Sequence, residues 1–256
     1  MRNTTKKVVS SDGTVERVPV DMKRQLNYNI ANLLNKTHLN DDGFPVFHTH
    51  ASVYPDYIAM NNEKHMFHKT QLTALGFYTF DRSFDNIHGL YNAIYYNDVR
   101  LLKKYKEMYA GIKFVVGPDY SMFDNSWPQE NESRLLKIRI IMLWFIFEIG
   151  AIAIPNVVYL SAEKLPHIMS GFEECEIFCF SVKGHMRYAV ERNRVIELVK
   201  YITDNTAVKT MLVYSVCGKD ENALKLFSYA IERGIDVRIV DNTLRQRNIN
   251  RLEGMA

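Results

Sequence analysis

Between about residue 72 and residue 242, short apolar runs alternate with amphipathic stretches along the chain. Runs rich in β-branched and aromatic residues predict buried strands, and apolar positions three or four residues apart predict helices. The predicted strands are 72–80, 89–96, 112–117, 151–159, 175–182, 208–216 and 235–242. The predicted helices are 98–110, 131–149, 192–205 and 220–234. This alternation is typical of right-handed βαβ units, so we predict an α/β fold with a mainly parallel sheet, either open or closed into an irregular barrel.

The chain outside this alternating block is more polar. Residues 1–71 are predicted to form a mostly irregular N-terminal arm, in which only 22–35 has apolar residues at helical spacing. Residues 243–256 are predicted to form a basic C-terminal tail. We therefore expect one α/β domain over 72–242 with a separate segment on either side.

The most apolar stretch, 138–160, is long enough for a membrane span but is interrupted by Glu148, Gly150 and Pro155. A span needs about 20 apolar residues in sequence. The pattern instead predicts a buried helix that ends at Gly150, followed by a buried strand. We therefore expect no membrane partner.

Composition narrows the class of protein. Of the 256 residues, 47% are hydrophobic and 24% are charged, which excludes a disordered, collagen-like or coiled-coil chain. The formal net charge of +3 does not by itself indicate a nucleic-acid-binding protein. The three cysteines are an odd number, and the first residues form no apolar signal, so we expect a reducing, cytoplasmic location. Cys179 and Cys217 lie in apolar runs and are expected to be core residues.

Polar residues that follow the predicted strands form the first candidate site, because parallel α/β folds bind ligands beyond the carboxyl ends of their strands. The predicted ligand-binding residues are Asp119, Ser121, Asp124, Arg139, Asn156 and Lys183. Asp119 and Asn156 each neighbour a proline, whose fixed φ would hold the polar group rigidly. We expect a nucleotide-like or phosphorylated ligand, with Lys183 or Arg139 supplying positive charge. The alternative is that such residues only cap helices and form turns. The pattern identifies no cofactor.

Two histidines form a second candidate site. His48 and His50 are two residues apart, a spacing with which many barrel metal hydrolases begin a metal site. Imidazole suits zinc or manganese, and strand-end carboxylates could complete the ligand set. This hypothesis predicts a metal-dependent hydrolase or nuclease, and the alternative is that both histidines are surface or packing residues.

A third hypothesis starts from absent motifs and from charge. The chain contains no GxGxxG, GxxxxGK[ST], HExxH or GxSxG motif. Basic residues gather near both ends: Arg2, Lys6, Lys7, Lys23 and Arg24, and then Arg245, Arg247 and Arg251. They suggest a non-catalytic interaction protein that binds a host or phage protein, another copy of itself, or DNA. Few aromatic residues accompany these ends, so stacking on single strands is not indicated there.

The central block carries a family resemblance. It reads GPDYSMFDNSWP and then KIRIIMLWFIFEIGAIAIPNVVY. It resembles a family of bacteria, phages and mobile elements catalogued as domain of unknown function four-four-one-seven. The matching residues are Pro118, Asp119, Tyr120, Ser121, Asp124, Pro128, Lys137, Arg139, Trp144, Gly150, Ile154, Pro155, Asn156 and Val157.

The resemblance extends to Phe172, to the strand 175–182 with Gly184, and to 212–218, so that it covers roughly residues 72–242. The chain differs from the family in having Val158 directly after the IPNV sequence, where an aromatic residue is usual, and Ser215 where glycine is usual. The resemblance implies a phage or mobile-element setting and a cytoplasmic location, and it supplies no activity.

Overall fold

The computed structural model describes residues 5–9, 13–19, 28–123 and 125–254. The strands are β1 (Thr5–Val9), β2 (Val15–Pro19), β3 (Tyr57–Met60), β4 (Thr73–Gly76), β5 (Phe114–Val116), β6 (Ile152–Ile154), β7 (Ile177–Ser181), β8 (Thr210–Tyr214) and β9 (Asp236–Val240). The helices are α1 (Tyr28–Leu34), α2 (Leu90–Tyr95), α3 (Val99–Met108), α4 (Pro128–Trp144), α5 (Leu165–Met169), α6 (Ala189–Asn205), α7 (Glu221–Leu224), α8 (Ser228–Glu232) and α9 (Thr243–Leu252).

Seven parallel strands form a closed ring. β3, β4, β5 and β6 pair in that order, as do β7, β8 and β9, and all of these pairs are parallel. Single bridges join the two sheets at both edges: the Cys179 amide donates to the Pro155 carbonyl at 2.9 Å, and the Ile58 amide donates to the Asp241 carbonyl at 2.8 Å. The α/β prediction is confirmed, and the ring is the irregular barrel rather than the open sheet. β1 and β2 form a separate antiparallel pair.

Side chains alternate between the inside and the outside of the barrel. One buried apolar cluster fills the interior and includes Ile58, Phe114, Cys179, Leu212 and Val240. The intervening residues point outward and join a second, larger cluster with the helices. Most of the strands are therefore apolar on both faces, which explains why they appear in the sequence as continuous hydrophobic runs; β9, with Asp236 and Arg238 exposed, is the exception.

Three parts of the chain differ from the sequence predictions. The predicted strand 89–96 is wrong, because α2 occupies it; Leu90, Ala93 and Ile94 are buried at helical spacing although the segment is rich in aromatic residues. β3 was not predicted, because it has only four residues and is buried on both faces. The barrel therefore begins within the segment assigned to the N-terminal arm. The segment expected to be a basic tail contains α9, whose first turn is capped by the Asn242 side chain.

The predicted helices 98–110 and 131–149 are confirmed, with somewhat different bounds. Asp98 caps α3 by accepting a hydrogen bond from the Leu101 amide at 3.0 Å. α4 begins at Pro128 and continues through a π-helical turn over Phe145–Ile149, which ends at Gly150 with a positive φ of 76°. Among the helices formed by the described residues, none combines the length and the apolar character that a membrane crossing requires.

Candidate functional site

Because the seven barrel strands are parallel, all of their carboxyl ends lie at one end of the barrel, which we call the mouth. There the loops after β4, β5 and β6 bring together Tyr78, Asp119 and Asn156. The Asn156 Nδ2 donates to Asp119 Oδ1 at 3.0 Å, and the Tyr78 hydroxyl donates to Asn156 Oδ1 at 3.1 Å. Asn156 is only 4% exposed, so these bonds hold a buried amide in one orientation.

Cys179 extends this network into the barrel interior. Its Sγ lies 3.1 Å from the Tyr78 hydroxyl oxygen. The Asn156 side chain donates to Asp119 through its NH2 group, so its carbonyl oxygen, Oδ1, is the acceptor. The Tyr78 hydroxyl has one proton, and it donates that proton to Asn156 Oδ1. Burial raises the pKa of the Cys179 thiol to about 12, so it keeps its proton at neutral pH. The thiol therefore donates to Tyr78, and the order of donation runs from Cys179 through Tyr78 and Asn156 to Asp119.

Asp119 is the acceptor at the end of this chain. Burial raises the pKa of its carboxyl group to about 6, against an ordinary value of 3.8. The hydrogen bond from Asn156 and the positive charges of His185 and Lys183 oppose that increase, and the nearby Asp81 adds to it. A carboxyl group that titrates near neutral pH can both accept and return a proton, which is what acid–base chemistry requires.

A cleft of about 320 Å³ opens beside Asp119. The apolar part of its wall includes Val157, Phe180 and Leu198, and its polar part is formed by Asp119, Ser121, Asn156, Ser181, His185, Glu191 and Arg194. Concave sites that bind small molecules have this character, a mainly apolar wall with a few polar groups that converge.

The structure places four of the predicted ligand-binding residues at the mouth. Asp119, Ser121 and Asn156 line the cleft. Lys183 is exposed beside it and donates from Nζ to the Tyr78 carbonyl at 3.3 Å. Asp124 lies outside the described residues.

Arg139 requires a correction, because the structure does not bring it to the cleft. Its guanidinium group is fully buried on α4, where it donates to the carbonyls of Ile168 at 3.0 Å and Ser170 at 2.9 Å. The rings of Phe44 and Phe172 lie against it at 4.2 and 4.9 Å. Arg139 therefore joins α4 to the end of α5 and to Ser170, which follows it. Because Arg139 lies within an apolar helical segment, the sequence did not indicate whether its side chain would face the cleft or the core.

His48 and His50 lie at the opposite, amino end of the barrel. His48 pairs with Glu174 at 3.0 Å, and His50 pairs with Glu176, the residue directly before β7. Hydrogen bonds from Lys209 and His50 hold the pKa of Glu176 below its ordinary value. Within the described residues, no group of three or more histidine, cysteine or acidic side chains could hold a metal ion. Barrel metal sites lie at the carboxyl end, so the position of this pair also disagrees with the metal hypothesis.

Sequence reasoning missed several residues of the site. Tyr78 follows β4 by two residues, so the strand-end rule would have found it if aromatic residues had been considered beside polar ones. Glu191 and Arg194 lie in the first turns of α6 and have no strand beside them in the sequence. Cys179 is buried as predicted, but its thiol also contacts Tyr78.

Comparison of the chain with protein-family models, with curated proteins and with solved structures found no match.

Proposed function

We propose that the protein binds a nucleotide-like, phosphorylated ligand in the cleft at the mouth, with Asp119 as the residue that recognises it. The observation that carries this proposal is the combination, within one cleft, of the partly desolvated Asp119 carboxyl group, cationic side chains and an apolar wall. A ligand with a flat apolar part, hydroxyl or amino groups and a negative charge would complement all three.

The cations would bind the phosphate. His185 and Arg194 line the cleft, and Lys183 stands beside it close enough to lower the pKa of Asp119. Glu191 pairs with both His185, at 3.2 Å, and Arg194, at 3.1 Å. It thereby orients both side chains, and of these three basic residues only Lys183 has no carboxylate partner in the described part of the chain. Charge-assisted hydrogen bonds of this kind are the stronger class in proteins.

Asp119 would accept hydrogen bonds from a hydroxyl or amino group of the ligand. Asn156 occupies only one of its oxygens, Oδ1, in the described structure. A carboxylate has about four acceptor positions, so Asp119 retains acceptor capacity toward the cleft. Its raised pKa would also allow it to exchange a proton with the ligand, so the same geometry accommodates catalysis.

The test is calorimetric titration of the wild type and of Asp119→Ala with the four common nucleoside monophosphates and with inorganic phosphate. We expect at least one nucleotide to bind the wild type, and Asp119→Ala to weaken that binding by about tenfold or more, because a hydrogen bond to a charged group is lost. Each titration is repeated with magnesium to detect a requirement for a divalent cation.

Glu174→Gln is the matched control, since it removes one exposed carboxylate at the amino end of the barrel. It should bind nucleotide as the wild type does. Absence of binding in the wild type, or equal binding in Asp119→Ala, would disprove the proposal.

The biological setting is a separate proposal that rests on the family resemblance of the central block. A phage or mobile-element origin predicts that genes for integration, replication or packaging lie beside this one. Sequencing of the flanking region tests it, and ordinary metabolic genes on both sides would argue against it.

A further inference from the structure

Large apolar side chains are exposed in the loops around the mouth. Phe80 follows β4 and is 80% exposed, Phe123 and Trp127 follow β5 and are 51% and 80% exposed, and Tyr188 follows β7 and is 57% exposed. Exposure of single apolar residues is ordinary, but aromatic residues gathered around one concave site are typical of a binding surface.

An arginine lies against three of these rings. The guanidinium carbon is 6.0 Å from the ring centre in the Arg82–Phe80 pair, 5.7 Å in the Arg134–Phe123 pair and 5.2 Å in the Arg187–Tyr188 pair. We call these three pairs the rim. Each pair presents a flat ring and a cation side by side, at the outer distance range of cation–π contacts.

Two rim arginines are also free to meet an external anion. Arg134 pairs with Glu130 at 2.7 Å, whereas Arg82 and Arg187 form no ion pair with a carboxylate in the described part of the chain. Lys183 is likewise exposed and without a carboxylate partner there. The rim therefore carries uncompensated positive charge next to exposed rings.

The loops that carry the rim are joined to one another around the cleft. The Asp81 carboxylate accepts hydrogen bonds from the amide and the hydroxyl of Ser121, at 3.2 Å each, which links the β4 and β5 loops. Lys183 donates to the Tyr78 carbonyl, which links the β7 and β4 loops. Phe123 itself lines the cleft. The rings and cations are therefore held around the same opening that contains Asp119.

We propose that the rim binds single-stranded nucleic acid, with rings that stack on successive bases, arginines that contact phosphates, and one nucleotide that enters the cleft beside Asp119. Flat rings interleaved with cations are the pattern by which proteins bind single strands. A lipid surface fits less well, because it would cover the polar cleft and leave the remaining acceptor positions of Asp119 without water or a partner. This proposal rests on the proposed function, since it makes the bound nucleotide part of a strand.

The test measures fluorescence anisotropy of labelled single strands of about 12 nucleotides, within the range that single-strand-binding folds cover. Oligothymidylate and oligouridylate distinguish DNA from RNA, and a duplex of equal length distinguishes paired from single strands. We expect a single strand to bind more tightly than both the duplex and the mononucleotide. The double variant Phe80→Ala/Tyr188→Ala should weaken strand binding by about tenfold for each ring removed and leave mononucleotide binding unchanged.

Tyr229→Ala is the matched control. Arg233 lies 3.4 Å from the centre of the Tyr229 ring, so these two residues also form an arginine–aromatic pair. This pair lies at the amino end of the barrel, where the Tyr229 hydroxyl donates to Asp204 near the end of α6. Strand binding should be unaffected by its loss. Phe80 and Tyr188 are both exposed, so their replacement should not unfold the protein, which circular dichroism will verify.

Salt dependence provides a second measurement. Each phosphate contact on a single strand contributes about 0.7 to the slope of log affinity against log salt concentration. Arg82→Gln/Arg187→Gln should therefore reduce that slope by about 1.4 if each arginine contacts one phosphate.

Several results would overturn the rim proposal. If mononucleotides bind the cleft but strands bind no more tightly, the proposed function stands and the rim proposal fails. Strand binding that is unchanged in Phe80→Ala/Tyr188→Ala, or binding to anionic lipid vesicles without binding to oligonucleotides, would also refute it. If strand binding depends on the rim but not on Asp119, the rim proposal stands and the role proposed for Asp119 fails.

Discussion

The two ends of the barrel differ in the charged groups that they hold. At the amino end, basic side chains pair with carboxylates near the surface: His48 with Glu174, Lys209 with Glu176, and Arg238 with Asp236. At the mouth, the Asp119 carboxyl group is desolvated, and the cation Lys183 has no carboxylate partner among the described residues.

This difference shows where the fold places its interaction capacity. Exposed ion pairs contribute little to stability and satisfy both partners, so these three pairs have little remaining capacity to bind a further charge. A desolvated carboxyl group costs stability, and such a cost is typical of a site kept for a ligand. The contrast agrees with the general division of parallel barrels into a functional carboxyl end and a structural amino end. Four substitutions would break or sharpen it.

The largest effect should come from Asn156→Ala at the mouth. The change removes the donor to Asp119 and the acceptor for the Tyr78 hydroxyl, so two buried polar groups each lose one hydrogen bond. We expect the free energy of unfolding to fall by about 3 kcal/mol, together with a loss of ligand binding. Urea denaturation at neutral pH measures the first effect.

The matched control for this change is Asn205→Ala. Asn205 ends α6 at the amino end of the barrel, where its exposed side chain donates, among the described residues, only to the Tyr201 carbonyl. Its loss should change stability by less than about 0.5 kcal/mol. Equal losses for the two variants would mean that the Asn156 network contributes no more than a surface contact.

The next effect has the opposite sign. Asp119→Asn removes a carboxyl group that is costly to ionise in the folded protein, and the introduced carboxamide oxygen can still accept from Asn156. Because the folded pKa of about 6 lies above the ordinary 3.8, the folded protein binds the proton more tightly than the unfolded chain does. The Asp119 carboxyl group therefore contributes to the stability of the wild type at low pH, and this contribution is lost as the pH rises from about 4 to about 6.

Above pH 7, Asp119→Asn should consequently be more stable than the wild type by up to about 3 kcal/mol, and this advantage should disappear near pH 4. Urea denaturation across that pH interval measures it, with Glu174→Gln as a variant that should show no such trend. A constant difference at all pH values would show that ionisation of Asp119 does not oppose folding.

The sequence predicted much of this contrast but not all of it. Strand-end position identified Asp119, Ser121 and Asn156, since parallel strands must gather their carboxyl ends at one place. It could not place Arg139, because a helix buried on nearly every side has no polar face from which an orientation can be read. It misplaced the strand in 89–96 because aromatic content outweighed the helical spacing of Leu90, Ala93 and Ile94.

The hydrophobic pattern also could not predict that the barrel closes. The two sheets meet through single bridges at Asn156 and at Asp241, each one residue wide. A hydrophobic run signals that a strand is buried, but not which strand lies beside it. The rim was missed for a related reason: Phe80 and Tyr188 lie far apart in the sequence, and only the barrel brings their loops to one opening.

A smaller effect should follow Tyr78→Phe. The ring can keep its stacked contact with Tyr214, whose centre lies 4.7 Å away, while Asn156 loses a donor and Cys179 loses an acceptor. We expect a loss of about 1 kcal/mol in the free energy of unfolding. Tyr214→Phe is the control, because the Tyr214 hydroxyl makes no hydrogen bond within the described residues. If both variants lose equally, the stacked rings rather than the hydroxyl network hold the site.

The smallest effect should come from His50→Ala at the amino end. The side chain is exposed, and Glu176 keeps Lys209 as a partner after the change. Neither the melting temperature nor the nucleotide affinity should differ measurably from the wild type, because an exposed ion pair contributes little to the free energy of folding. Elemental analysis of both proteins makes the test specific. Zinc or manganese bound stoichiometrically to the wild type and lost in His50→Ala would place chemistry at the amino end and reverse the assignment of the two ends.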